Sequence, residues 1–503
     1  MVKNEKLKEI LIVGGGSAGW MAAAMFSHLF QGLYKIRLIE SEEIATIGVG
    51  EATIPAIKRY NDLLDLDEAE FMRTTQGTFK LGIQFNDWLN IGSSYIHGFG
   101  VIGQDLGWLR MHHYWLRMRQ QGEVSDLANF SINTAAALKN KFLRSRPDMP
   151  ESPLSEIAHA FHFDAGLYAK FLSGFSQRRG VTRTEGKVVD VTLRPEDGFV
   201  ESVTMENGEV ITADLFIDCS GFRGLLIEQA MKTGYEDWTQ WLPCDRALAV
   251  PCARSENFTP YTRATARGAG WQWRIPLQHR TGNGHVFSSK YMDEAEAEAI
   301  LLSNLDGEQL AEPLRIRYVT GKRKKFWNRN CVAIGLASGF LEPLESTSLF
   351  LIQSSIIRLV NLFPDRQFDQ ANIDEFNRQT NFEYERTRDF VILHYKATQR
   401  DDTEFWRYCR DMPIPDTLQR KMDLFAANGR IFREDDELFA EVSWIQVLLG
   451  QGIIPRNYDP LVDLKSGAQI AQYLDNIETV VAKCVDVMPT HEVFVSKFCP
   501  APA

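Results

Sequence analysis

Residues Glu9 to Trp20 read EILIVGGGSAGW. The aliphatic and β-branched run up to Val13 has the composition of a buried strand. Gly14, Gly16 and Gly19 follow in G-x-G-x-x-G spacing, and Ala18, Met21, Ala22, Ala23 and Ala24 then predict a small-residue helix. In such a strand–turn–helix the glycines permit a tight turn, close approach of backbone to a pyrophosphate, and tight helix–strand packing. The free N–H groups at the helix start face the phosphates. The next strand, KIRLIE (35–40), ends at Glu40, where an acidic side chain takes the ribose hydroxyls. Strand, helix and terminal acid together predict a dinucleotide site. A tight turn with no ligand is the weaker reading.

Two further stretches extend this core. DLFIDCSG (214–221) and CVAIGLASGF (331–340) each read as a buried strand entering a loop, and short strands precede the first over residues 181–227. The N-terminal position of the turn, the chain length and these loops favour tightly bound FAD over NAD. GQGIIP (450–455) follows a helical stretch and contains a proline, so it does not make a second dinucleotide turn for NAD(P)H. Electrons for the flavin then come from another protein or from diffusible reduced flavin. An apolar helix follows the 331–340 loop, through about Leu359, and the pattern beyond Ile373 is mostly helical. The expected fold is mixed α/β: a Rossmann-like FAD-binding body over 1–100 and 150–365, and a mainly helical substrate-binding cap over 101–149 and 366–503.

The chain has 503 residues, with 55 basic and 66 acidic side chains and a net charge of −11. That balance argues against a nucleic-acid or anionic-membrane surface. The run Lys322 to Lys325 reads as a solvated turn. The seven cysteines contain no C-x-x-C pair. This fits a reducing cytoplasm rather than a disulfide framework or a zinc site. No stretch reaches the apolar length of a membrane span, and the N-terminus has no apolar signal core. His159 and His162 have H-x-x-H spacing, but no acid completes a metal set, so packing or hydrogen bonding is the better reading. In GWQWRIP (270–276), Trp271 and Trp273 would share one face of a strand, as core or as the wall of a site.

Several of these stretches together resemble the flavin-dependent tryptophan halogenases. They are GGGSAGWMAA (14–23), IGVGEATIP (47–55), GTFKLGIQF (77–85), HFDAGLYAKFL (162–172), ADLFIDCSGFRGLL (213–226), GWQWRIP and GLASGFLEPLEST (335–347). The resemblance covers nearly the whole chain, and W-x-W-x-I-P is its most specific element. It implies an enzyme of the flavin monooxygenase type of fold. Reduced FAD and dioxygen would oxidise chloride or bromide to hypohalous acid, which passes through a tunnel to a lysine and halogenates an aromatic ring by electrophilic substitution. A separate flavin reductase would supply FADH2, and the resemblance leaves a homodimer open.

Residue by residue, the resemblance implies Lys80 as the residue that receives hypohalous acid, by hydrogen bonding or as a haloamine. On its own, a lysine among apolar neighbours would be read as reaching for water. It implies Glu345 as acid/base partner, where an acid complementing a helix dipole would be the plain alternative. Glu342 reads as structural and Ser346 as placed to orient Glu345. Thr347 and Ser348, at the helix start, are the implied halide site; many family members have glycine at the position of Ser348, which bears on halide preference. For FAD the matching residues are Gly14, Gly15, Gly16, Ala18 and Gly19 at the phosphates and Glu40 and Ser41 at the ribose. Gly48, Gly50, Glu51 and Ala52 match a strap over the isoalloxazine. Leu336 stands where many flavin hydroxylases carry aspartate. Trp271 and Trp273 would separate flavin from substrate. His97, through its backbone, and Phe99, by stacking, would line the substrate pocket.

The match weakens at FAEVSWIQVLLGQGIIP (439–455). Trp444 and Ile445 stand where tryptophan halogenases carry a tyrosine pair that grips the amino acid, and the preceding insert is short. The expectation is a pocket for indole or a larger indole-bearing substrate, with free tryptophan a poor one. An FAD-dependent aromatic hydroxylase and a non-catalytic FAD-binding redox protein are the competing readings. The first would need open access from flavin to substrate; the second would need neither Lys80 nor Glu345.

Overall fold

The computed structural model describes residues 6–43, 50–122, 124–256 and 258–502. Gly48 therefore lies outside the described residues. The strand Glu9–Val13 sits inside a six-stranded sheet. It pairs in parallel with Lys35–Glu40 on one side and Leu215–Asp218 on the other. Cys331–Ala333 and Thr182–Glu185 extend the parallel core, and Trp327–Asn328 closes one edge antiparallel. Strands of such a sheet are covered on both faces, which is why ILIV, LFI and CVA are continuous apolar runs rather than alternating ones.

Helix Ser17–Phe30 follows the glycine turn. Gly14 has φ of 114°, and a Cβ there would lie 2.2 Å from the Cys219 carbonyl oxygen. A Cβ on Gly19 would lie 1.8 Å from the Gly14 oxygen, so the third glycine is what lets helix and strand close together.

A seven-stranded, mostly antiparallel sheet stands beside this body. Its order is Leu314–Arg317, Arg246–Ala253, Arg280–Phe287, Gly270–Pro276, Thr262–Arg267, Gly82–Asn86 and Ser94–Gly98. Only the Thr262–Arg267/Gly82–Asn86 pair within it is parallel. The tryptophan strand is thus central. Trp273 lies opposite Gly284, where a Cβ would fall 2.0 Å from the indole, so this glycine makes room for the ring. A small sheet of Glu51–Ala52, Ala160–Phe163 and Thr78–Lys80 joins the two bodies, with Thr78 opposite His162 and Lys80 opposite Ala160.

The C-terminal third is helical: Gln370–Lys396, Glu404–Asp411, Asp416–Asn428, Glu441–Gly450, Gly467–Asp486 and His491–Phe498. No described helix is long and apolar enough to cross a membrane. The seven cysteines are free thiols. One expectation from charge fails. Lys322 and Arg323 are buried in the strand Gly321–Arg323, not in a solvated turn, because distant acids meet them. Lys322 lies 2.9 Å from Glu236, and Arg323 2.9 Å from Glu228.

Candidate active site

The glycine turn opens into a cavity of about 1570 Å³. That is larger than the roughly 300–1,000 Å³ of most small-ligand pockets and suits a dinucleotide. Gly14, Gly15, Gly16, Ala18, Glu40, Ser41, Gly50, Ala52, Leu336 and Ser348 all line it. A Cβ on Gly16 would meet nothing within 4 Å, while one on Gly15 would collide with Glu40, 1.7 Å from Oε2. The N-cap Gly16 supplies no side-chain acceptor, so the first N–H groups of helix Ser17–Phe30 are left for a ligand. Glu40 faces the cavity held by two donors, Trp20 Nε1 at 3.1 Å and Arg183 Nε at 2.5 Å. These features fit a bound dinucleotide, with phosphate at the turn and ribose at Glu40. Gly19 contributes through packing.

At its far end the cavity is walled by Trp273, Ile275, Thr262 and Ser346. Trp271 stands behind Trp273, ring centroids 6.0 Å apart. Its Nε1 donates to Glu342 Oε2 at 2.9 Å, and Tyr395 donates its hydroxyl to the same oxygen at 2.5 Å. Burial pushes the Glu342 carboxyl up to about 7, against both donors.

Across this end lies a cluster that unites residues far apart in the chain. Lys80 is 0% exposed, and its Nζ donates to Ser346 Oγ at 2.7 Å. The ammonium lies 5.5 Å from the centre of the Phe99 ring. Burial lowers the Lys80 pKa to about 7, with Glu345 opposing the shift. Glu345 is 1% exposed. His97 Nδ1 donates to it at 2.9 Å, and His394 Nε2 lies 2.8 Å from Oε1, off the line of a hydrogen bond. Burial alone would raise the Glu345 pKa, but the two imidazoles outweigh it and hold the carboxyl at about 2. Glu345 is therefore a carboxylate inside the protein, ready to accept a proton.

Two sequence expectations change here. Ser346 bonds Lys80, not Glu345, and does so from a left-handed backbone (φ 58°). His97, expected to line the substrate pocket through its backbone, places its imidazole on Glu345. Ser348 begins the helix Ser348–Asn361 with Thr347 as its N-cap, and no side chain caps that end. Unpaired N–H groups there suit a small anion.

Beyond Glu345 the surroundings are aromatic. Phe390 stacks on Phe439 at 3.8 Å and meets Trp444 edge-on at 4.8 Å. Trp444 Nε1 is buried without a hydrogen-bond partner among the described residues. Lys421 lies over the Trp444 ring and is ion-paired to Glu437 at 2.5 Å. His394, Gln446 and Thr262 are site neighbours that sequence reading missed. Gln446 pins helix Glu441–Gly450 to the strand Ser94–Gly98, accepting from Gly98 N and donating to Gly98 O, each at 3.0 Å. An isolated histidine or glutamine on a helix gives no sequence signal of such a partner.

The family model "Tryptophan halogenase" matches residues 9–466. The solved structure of Xcc4156, a flavin-dependent halogenase from Xanthomonas campestris, is 46% identical and superposes with a TM-score of 0.96 over 99% of both chains. That of BrvH, a flavin-dependent halogenase from Brevundimonas sp. BAL3, is 47% identical, with a TM-score of 0.95 over 98% of this chain and 100% of its own. Tryptophan 6-halogenase ThaL of Streptomyces albogriseolus is 34% identical over 92% of each chain. The chain belongs to the tryptophan halogenase family of flavin-dependent halogenases.

Proposed function

We propose that this enzyme passes hypohalous acid from the flavin cavity to Lys80 and halogenates an indole-type substrate held against Glu345. As a flavin-dependent halogenase it uses FADH2, delivered by a separate flavin reductase, and a halide ion. Bound reduced FAD, with dioxygen, supplies the two-electron oxidation of halide to hypohalous acid. The protein's own residues do the rest. The backbone N–H groups after Gly16 would hold the pyrophosphate and the Glu40 carboxylate the ribose, with Ser41, Gly50, Ala52 and Leu336 lining the same cavity. The amides at Thr347 and Ser348 hold halide. Trp271 and Trp273 keep the organic substrate off the flavin. Lys80, with a pKa near 7, has a substantial free-amine fraction at neutral pH. It binds the acid by hydrogen bond or as a haloamine. With the acid hydrogen-bonded to Lys80, the ring carbon takes the halogen, the Lys80 ammonium protonates the departing hydroxide to water, and Glu345 takes the ring proton and returns it to the amine. By the haloamine route water leaves as the N–halogen bond forms, and the ring proton taken by Glu345 restores the amine once the halogen has moved to the ring.

One observation carries this reading: a fully buried lysine hydrogen-bonded to a residue of the cavity wall, beside a carboxylate that two histidines keep ionised. The aromatic surroundings of Trp444, and the commitment of Lys421 to Glu437, support a substrate without the charges of a free amino acid. The helical segments 101–149 and 366–503 would form the substrate side, and the free thiols support a cytoplasmic setting. The test uses the protein with a flavin reductase, chloride or bromide, and a panel from indole to free tryptophan, read by mass spectrometry. Halogenated indole, lost in Lys80→Ala, is expected. Hydroxylated product, or halogenation unaffected in Lys80→Ala, would overturn the mechanism; efficient regioselective halogenation of free tryptophan would overturn the substrate assignment.

A further inference from the structure

His162 is fully buried, and the mechanism above gives it no role. Its Nδ1 lies 3.0 Å from Thr78 Oγ1, and its Nε2 lies 2.9 Å from Thr262 Oγ1. Thr78 Oγ1 also lies 2.6 Å from the carbonyl oxygen of Pro276, the last residue of the tryptophan strand. The chain of bonds has one polarity. A carbonyl only accepts, so the single hydroxyl proton of Thr78 goes to Pro276. Thr78 must then accept from His162, which places the imidazole proton on Nδ1. Burial, and the nearby Lys80 and His491, push the His162 pKa far down and keep the ring neutral, so Nε2 is bare. Thr262 must donate to it. Its one proton is now used, so Thr262, which lines the cavity together with Trp273, Ile275 and Ser346, has only Oγ1 lone pairs left to offer.

We propose that Thr262 is a hydrogen-bond acceptor guiding hypohalous acid along the passage to Lys80, with His162 and Thr78 as the positioning residues that fix its polarity. The inference rests on the function proposed above. The O–H of hypohalous acid, stripped of water between Trp273 and Ile275, needs an acceptor. Lone pairs without a proton offer one and disfavour the hypohalite anion. The passage therefore holds the oxidant in its neutral, more electrophilic form. Thr78 and Lys80 lie on the same face of one strand, so the relay and the receiving amine are fixed by one backbone segment.

The experiment compares wild type, Thr262→Val, Thr262→Ser and Lys80→Ala with indole and bromide. In Thr262→Val, halogenated product per FADH2 oxidised is expected to fall about five- to tenfold. The missing oxidant should appear in a bulk trap such as monochlorodimedone, and Thr262→Ser should recover most of the coupling. A second readout needs no turnover. Imidazole 15N shifts of His162 in the cofactor-free protein should report a neutral ring protonated at Nδ1, with Nε2 shifted in Thr262→Val. Wild-type coupling in Thr262→Val, or a His162 protonated at Nε2 near neutral pH, would overturn the proposal. If wild type makes no halogenated product, or Lys80→Ala retains it, the underlying function fails instead; Lys80→Ala inactive with Thr262→Val fully coupled defeats the Thr262 role alone.

Discussion

Lys80 Nζ donates to Ser346 Oγ at 2.7 Å, and Ser346 holds that position with a left-handed backbone, φ 58°. A non-glycine residue in this region costs on the order of 1 kcal/mol. The strain sits between Glu345 and Thr347, at the centre of the site, where it aims one hydroxyl at one amine. Ser346→Gly relieves the backbone and deletes the hydroxyl. Halogenation with that variant should fall about tenfold, the loss of one buried hydrogen bond to a charged group, with no drop in melting temperature. Ser346→Ala should lose both rate and stability. Wild-type rate in Ser346→Gly would show that Lys80 needs no fixing.

The burial of Lys80 has a thermodynamic signature. Its folded-state pKa, about 7, lies below the ordinary 10.5. Between those values the unfolded chain binds a proton that the folded chain does not, so stability rises with pH across that window. Below about pH 7 the full penalty is present. Lys80→Met should therefore abolish halogenation yet melt higher than wild type. The gain, about 1–3 kcal/mol, should be largest at or below pH 7 and shrink toward pH 10. Thermal unfolding at three pH values checks this, and an equal or lower melting temperature at pH 6 contradicts it.

Glu342 runs the other way. Burial raises its pKa to about 7 from 4.5, so the folded protein holds a proton that the unfolded chain has lost. That contribution is complete below pH 4.5 and disappears as pH rises through about 7. Glu342→Gln should flatten this part of the stability–pH curve. Glu342→Leu leaves Trp271 Nε1 unpaired, at about 1–3 kcal/mol for a buried unpaired group, and leaves Tyr395 Oη only the Cys244 sulfur. Because Trp271 backs Trp273, this variant should also lower halogenated product per FADH2 consumed. Full coupling in Glu342→Leu would mean that the wall stands without its anchor.

What the sequence made legible was local. Gly14, Gly16 and Gly19 carry their meaning in their spacing, and the strands and helix around them follow from composition. The alternation in GWQWRIP put two indoles on one face. Lys80 and Ser346 lie 266 positions apart, and their bond was not legible in the sequence, which read Ser346 as a neighbour of Glu345. His394 contributes to Glu345 from the helix Gln370–Lys396, and no periodicity marks one histidine there as special. Lys322 and Arg323 looked solvated because the acids that permit their burial come from other segments. Long-range partners decide burial of charge, and a single sequence does not reveal them.

Gln446 tests how far the site depends on such a partner. Its amide completes both hydrogen-bonding groups of Gly98, the residue between His97 and Phe99, which face Glu345 and Lys80. A side chain at position 98 is excluded, since a Cβ would lie 2.3 Å from Thr134 Oγ1. Gln446→Leu keeps the volume and leaves Gly98 N–H and C=O unpaired inside the protein, at about 1–3 kcal/mol each. The melting temperature should fall by several degrees. The rate should fall further than stability alone explains, because the strand that aims His97 at Glu345 loses its only clamp to helix Glu441–Gly450 among the side-chain bonds described here. Gln446→Glu keeps an acceptor for the Gly98 amide but gives the carbonyl no donor at neutral pH, so it should fall between wild type and Gln446→Leu in both readouts. Equal activity in all three proteins would show that helix packing alone holds His97 in place.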